Sequence, residues 1–172
     1  MSVVFALATP ASRSALCVFR VSGEGCLGCL KDIFSVPPVK PRVFYNRLLV
    51  SGDSLVDSVG VVFFEGANSY TGEDSFEIYA HGGLAVMSSV VELLQQQGFD
   101  EAGPGEFTKR AFLNNKLSLS EAESVVDIIN ASSKRALEAS ANSLVGGFSA
   151  EVFGFSEKID VLRKHVEGSI DF

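Results

Sequence analysis

Two segments hold more polar side chains than folding alone requires. Asn68-Ser69-Tyr70-Thr71-Gly72-Glu73-Asp74 runs into a strand-like stretch that contains Glu77. Pro104-Gly105-Glu106-Phe107-Thr108-Lys109-Arg110 runs into a helix-like stretch ending near Asn114-Asn115-Lys116. Glu77 stands between Phe76 and Ile78, so alternation along a strand turns it away from its apolar neighbours. There it is either a solvated carboxylate or the acceptor for paired N–H donors of a planar heterocycle. His81-Gly82-Gly83 follows, between a strand and a helix. Two glycines admit a ligand close to the backbone and its free N–H groups, and equally admit a tight turn.

Other chemical signals are weaker. Gly23-Glu24-Gly25-Cys26-Leu27-Gly28 matches G-x-G-x-x-G between a strand-like and a helix-like stretch. The helix is short, prolines follow, and the next acidic residue at a strand end, Asp53, comes late for a ribose contact. A glycine-rich turn is the simpler reading. Cys26 and Cys29 form a C-x-x-C without a second pair, and His81 and His165 are distant, so four zinc ligands are not assembled. They read as core-facing side chains. No G-x-x-x-x-G-K-[ST] occurs, which removes P-loop binding of GTP by this segment, and no G-x-S-x-G elbow occurs.

The elements that must position these groups change character along the chain. Val3–Ala8, Leu16–Val21, Val43–Val50, Val59–Phe64 and Phe76–Ala80 read as strands, with a turn at Ser51-Gly52-Asp53. Gly25–Phe34 reads as a short helix ended by Pro37, Pro38 and Pro41. Leu84, Met87, Val90, Val91 and Leu94 recur at helical spacing up to Gly98. From Leu119 onward the pattern is helical throughout, with capping-box spacing at Ser120 and Glu123 and apolar faces carried by Val125, Leu137, Ile159 and Leu162. The expectation is an α/β (α+β) domain over residues 1–118 and an all-α helical domain over 119–172. The chain stops at Ile170-Asp171-Phe172 without a terminating signal, so the helical domain reads as incomplete.

Composition narrows the function classes. With 47% hydrophobic and 20% charged residues among 172, the chain is an ordinary globular one. No apolar run approaches the roughly 20 residues of a membrane helix, and no signal peptide is visible, so a cytoplasmic, non-membrane setting is expected. Three cysteines, an odd number, do not make a disulfide framework. Net charge is −7, with 12 acidic against 9 basic residues up to Ser118 and 9 against 5 beyond it. Neither part has the basic surplus that tight nucleic-acid binding needs.

The segments singled out above also carry a family resemblance. Ala6-Leu7-Ala8-Thr9-Pro10, Phe19-Arg20-Val21-Ser22-Gly23, Ser69–Asp74, Glu77–Gly83, Pro104–Asn114, Leu119–Glu123 and Val166–Phe172 appear in one order and spacing over nearly the whole chain. Together they resemble the N-terminal region of the tRNA-modifying GTPases of the MnmE (TrmE) family. The resemblance implies a folate-binding, dimer-forming α/β domain, similar in fold to the folate domain of the glycine-cleavage T protein. The helical part then corresponds to the start of a central helical domain, which the family interrupts with a G domain absent here. Family members act as homodimers with the FAD-dependent protein MnmG (GidA). They form 5-(carboxymethyl)aminomethyluridine-type modifications at the wobble uridine of tRNA.

5-Formyltetrahydrofolate or a related tetrahydrofolate derivative is the implied one-carbon cofactor. GTP, magnesium and potassium belong to the absent G domain, and this chain is expected to have no catalytic or metal-binding residue of its own. Motif position carries the folate contacts onto Arg20, Glu77 and Lys116, with a fourth supplied from a C-terminal region. Two departures stand out. Ala11-Ser12-Arg13-Ser14 replaces the family's usual Pro-Gly-Arg-Gly, and Tyr79-Ala80 replaces its common His-Cys. The alternatives are a stand-alone folate-dependent one-carbon transferase, a purely structural dimerisation module, and a dinucleotide-binding oxidoreductase domain resting on Gly23–Gly28.

Overall fold

Alternating apolar residues build one six-stranded sheet in the computed structural model, which describes residues 2–170. Its strands are β1 (Val4–Leu7), β2 (Leu16–Ser22), β3 (Tyr45–Ser51), β4 (Ser54–Phe64), β5 (Ser75–His81) and β6 (Asp100–Glu101). Their order is β3-β4-β5-β2-β1-β6. Every neighbouring pair is antiparallel except β1 and β6.

One face of this sheet is the core. Cys17, Phe19 and Val21 of β2, Val59, Val61 and Phe63 of β4, and Phe76, Ile78 and Ala80 of β5 are all buried. They pack in one cluster with Met87, Val90, Leu93 and Leu94 of α2 (Leu84–Gln96). Ile33 joins the cluster from α1 (Leu30–Ile33), which follows a 3-10 turn over Cys26–Cys29. The opposite face carries Arg20, Glu77, Tyr79 and His81, because strand residues alternate between faces.

The structure also revises several local expectations. The expected helix over Gly25–Phe34 is a 3-10 turn plus a single α turn. Gly23 (φ 147°) sits so close to Val3 that a Cβ would meet Val3 Cα at 2.6 Å. β2, which precedes this turn, has only antiparallel neighbours, so the parallel βαβ frame of a dinucleotide site is not built here. Cys26 and Cys29 are buried, and burial pushes both thiols up to about 12. β4 begins at Ser54, five residues before the expected Val59, because the hairpin to β3 extends the pairing through Ser54–Ser58. The two-residue β6 left no periodic signal.

Gly82 shows what the altered Ala11–Ser14 loop touches. Ser14 N–H donates to the Gly82 carbonyl at 3.1 Å, and a Cβ on Gly82 would run into the Ser14 side chain and carbonyl. Close packing of two backbone segments accounts for this glycine. Gly82→Ala is expected to destabilise the sheet unit by about 1–3 kcal/mol through overpacking, read from the urea midpoint at unchanged m-value.

The chain divides into two compact units, Met1–Lys116 and Leu117–Phe172. The second contains α4 (Leu119–Asn130), α5 (Lys134–Leu144) and α6 (Gly147–Ile170), with α3 (Glu106–Leu113) closing the first. The capping box lies at Ser118 and Glu121, two residues before its expected place. Ser118 has the extended backbone an N-cap requires, its Oγ accepts from Glu121 N–H, and Glu121 accepts from Ser118 N–H at 2.7 Å. Ser120 is already inside the helix and bonds Ser149. Ile129, Phe153, Phe155, Ile159 and Leu162 of this unit are exposed. Asp171 and Phe172, on which the expected incomplete ending rests, lie outside the described residues. Among the described residues no helix is long and apolar enough to cross a membrane.

Candidate functional site

Pairing of β2 with β5 sets Arg20 directly opposite Glu77. Arg20 Nε donates to Glu77 Oε1 at 2.9 Å, and Nη2 lies 2.8 Å from the same oxygen in an ion pair. Tyr79, two residues along on the same face, donates its hydroxyl to Glu77 Oε2 at 2.6 Å. The Glu77 side chain is 15% exposed and that of Arg20 35%. Glu77 is therefore a held carboxylate on a half-buried face. Acceptance by Glu77, with burial added, pushes the Tyr79 phenol up to about 12, so it stays a donor across the working pH range.

The two polar segments of the sequence converge above this pair. Tyr70, from the loop before β5, and Phe107, from α3, hold the Arg20 guanidinium carbon 5.5 and 5.7 Å from their ring centroids. Tyr70 is bound to Thr108 of α3 at 3.0 Å between hydroxyls. Lys116 makes its hydrogen bond to the Ala67 carbonyl at 2.6 Å, and its aliphatic stem passes Gly72. The structure thus brings Arg20 and Glu77 into direct contact and anchors Lys116 on the adjoining loop.

Arg110 holds that arrangement together. It is 2% exposed. Its Nη1 donates to Glu73 Oε2 at 3.0 Å and to the carbonyls of Ser2 and Ser22, and its Nε donates to Glu106 Oε1 at 3.1 Å. Ser22 Oγ adds bonds to Thr71 and Glu73, and Asn114 donates to the Thr71 carbonyl. One cation thereby ties the first residues, the end of β2, the Ser69–Asp74 loop and α3 to each other. The Arg110 and Lys109 side chains draw the Glu106 carboxyl below its usual range.

Further along the same face, His81 Nδ1 lies 2.8 Å from Asp57 Oδ1, and His81 N–H donates to Asp57 Oδ2 at 2.9 Å. A cleft of about 380 Å³ separates this pair from the Glu77 cluster, walled by Phe44, Tyr79 and His81 over Gly60. Burial raises the Asp57 carboxyl, but the hydrogen bonds from His81 and Ser58 outweigh it and leave the value lowered. A depressed folded-state value adds stability at neutral pH that is lost as pH falls from the ordinary carboxylate range, about 3.9, through the lowered value. Asp57→Asn is therefore expected to be less stable than wild type at pH 7, with the difference shrinking toward pH 3 in urea titrations. Among the described residues no three His, Cys, Asp or Glu side chains gather to hold a metal.

The family resemblance pointed to Arg20, Glu77 and Lys116 as site residues; Tyr79, Tyr70, Phe107 and Arg110 were not among them, although the last three lie in the two polar segments. Tyr79 was legible, since it shares Glu77's face by alternation. Tyr70, Phe107 and Arg110 were not, because only the long-range packing of α3 brings them to the strands.

The model of the GTP-binding protein TrmE N-terminus family matches residues 3–116. The chain belongs to that family. The matched residues fall within the sheet unit and include the Arg20–Glu77 pair, Tyr79, Arg110 and Lys116. The chain is 41% identical over 169 residues to the tRNA modification GTPase MnmE of Francisella philomiragia, covering 98% of this chain and 37% of that protein. The MnmE of Francisella tularensis subsp. novicida is also 41% identical, and that of Coxiella burnetii 40%, with the same coverage. The chain thus spans little more than a third of the length of these relatives, aligning with the N-terminal region of MnmE/TrmE GTPases.

Proposed function

We propose that the sheet unit of this TrmE N-terminal chain binds a tetrahydrofolate one-carbon derivative such as 5-formyltetrahydrofolate. The observation that carries the reading is Glu77, a carboxylate fixed on a half-buried sheet face with a cation beside it. A pterin presents paired N–H donors that suit such an acceptor, and the anionic glutamate tail of a folate suits Arg20 and Lys116. In this reading residues 1–118 form a domain related in fold to the folate domain of glycine-cleavage T protein. Residues 119–172 begin a central helical domain.

The whole protein, cytoplasmic and homodimeric, then works with the FAD protein MnmG on the wobble uridine of tRNA. GTP, magnesium and potassium are handled by a G domain outside this chain. Self-association through the sheet unit is supported by exposed Val36, Val39 and Leu48 on and beside the edge strand β3. Calorimetric titration of the chain with 5-formyltetrahydrofolate tests the folate reading. Saturable one-site binding is expected, and no heat at millimolar ligand would sink it.

A further inference from the structure

The acceptor positions on Glu77 are nearly all in use, and counting them divides the roles of its neighbours. A carboxylate offers about four acceptor positions, two on each oxygen. Oε1 receives the Nε–H of Arg20 with Nη2 ion-paired beside it at 2.8 Å, and Oε2 receives the hydroxyl of Tyr79. A heterocycle that presents two parallel N–H donors needs one free position on each oxygen. Oε2 has one, whereas Oε1 is covered by the Arg20 guanidinium, two of whose nitrogens lie against it at 2.9 and 2.8 Å.

From this count we infer that Arg20 is a place-holder for the ligand's donor edge, displaced from Oε1 when the ligand binds, whereas Tyr79 is a positioning residue that keeps hold of Oε2 throughout. The inference rests on the folate reading and assigns Arg20 and Tyr79 separate parts in it. Two features of the site favour exchange at Arg20. Its side chain is 35% exposed, so water can replace the carboxylate as its partner. The rings of Tyr70 and Phe107 also flank its guanidinium and retain it beside the site once the ion pair opens. A guanidinium released from Glu77 but still held there is placed to take an anionic group on the same ligand. Tyr79 has no such freedom, because its short bond to Oε2 fixes the carboxylate plane that the incoming N–H donors must meet. The ligand class is a planar heterocycle with an amino-amide donor edge joined to a carboxylate tail.

The two roles separate when two ligands are titrated in parallel by calorimetry, 5-formyltetrahydrofolate and a tetrahydropterin lacking the aminobenzoylglutamate tail. Arg20→Gln is expected to weaken 5-formyltetrahydrofolate about tenfold while the tail-free pterin binds as tightly as to wild type, or a few-fold tighter, since its competitor is gone. Tyr79→Phe is expected to weaken both ligands about tenfold at an unchanged melting temperature, and Tyr79→His, which restores a ring donor, to recover part of the loss. Equal weakening of both ligands by Arg20→Gln would overturn the place-holder role. Unchanged affinities in Tyr79→Phe would overturn the positioning role, and that variant, which removes a single oxygen, carries the test if Arg20→Gln does not fold. Binding of neither ligand by wild type overturns the folate reading and this inference together. Wild-type binding without the crossover between ligands overturns this inference alone.

Discussion

Glu77→Ala lowers affinity for 5-formyltetrahydrofolate by at least about a hundredfold, the expected consequence of removing two charge-assisted hydrogen bonds worth roughly 1.5–3 kcal/mol each. The same substitution changes stability little. Arg20 is left without its partner, but at 35% side-chain exposure water takes its donors. Tyr79 loses its acceptor and can turn its hydroxyl toward the neighbouring cleft. Binding and stability therefore separate at this residue. Calorimetry that shows retained affinity would mean that Glu77 is an ion-pair partner for Arg20 and nothing more. A large fall in the urea midpoint would mean that the loss of binding reports unfolding.

Arg110→Met has the opposite signature. Its guanidinium is 3% exposed and serves two carboxylates and two backbone carbonyls. Removing it leaves Glu73, at 13% side-chain exposure, without a counter-charge, and Glu106, at 22%, with Lys109 alone. The expected loss is about 3 kcal/mol, at the lower end for a broken buried ion pair because Glu106 keeps some contact with water. Arg110→Lys is expected to recover less than half of it, since a point charge cannot fork to both carboxylates and still reach Ser2. Urea unfolding of the three proteins measures this directly. On the folate reading, affinity is expected to fall in the same series, because the loop that carries Tyr70 is no longer clamped to β2 and α3. An Arg110→Met variant within about 0.5 kcal/mol of wild type would show that these ion pairs and hydrogen bonds add nothing to stability.

The two residues teach different things about reading this chain. The face of Glu77 was legible because its signal is local, a charged residue between two apolar ones in a strand, whereas its place among the site residues came from the family resemblance. Arg110 sits in Thr108-Lys109-Arg110, where helical spacing alone makes a cation look solvated. Its burial depends on Ser2, 108 positions earlier in the chain. The capping box misread by two residues is an intermediate case. Both serine–glutamate pairs have the spacing, and the choice between them lies in which serine has non-helical backbone angles.

The sequence by itself showed most of the longer strands and helices, where apolar faces lie, and the side of its strand on which Glu77 stands, but not β6, the start of β4 or the shortness of α1. The legible features follow from propensity and periodicity, which act between residues a few positions apart. Only the tertiary structure decided that β2 pairs with β5, so that Arg20 meets a carboxylate 57 positions away. It alone decided that α3 brings Phe107 and Arg110 to those strands, and that the hairpin from β3 extends β4. Register and packing are set by the one arrangement that buries the apolar faces of all the elements together, and no local window of sequence contains that arrangement.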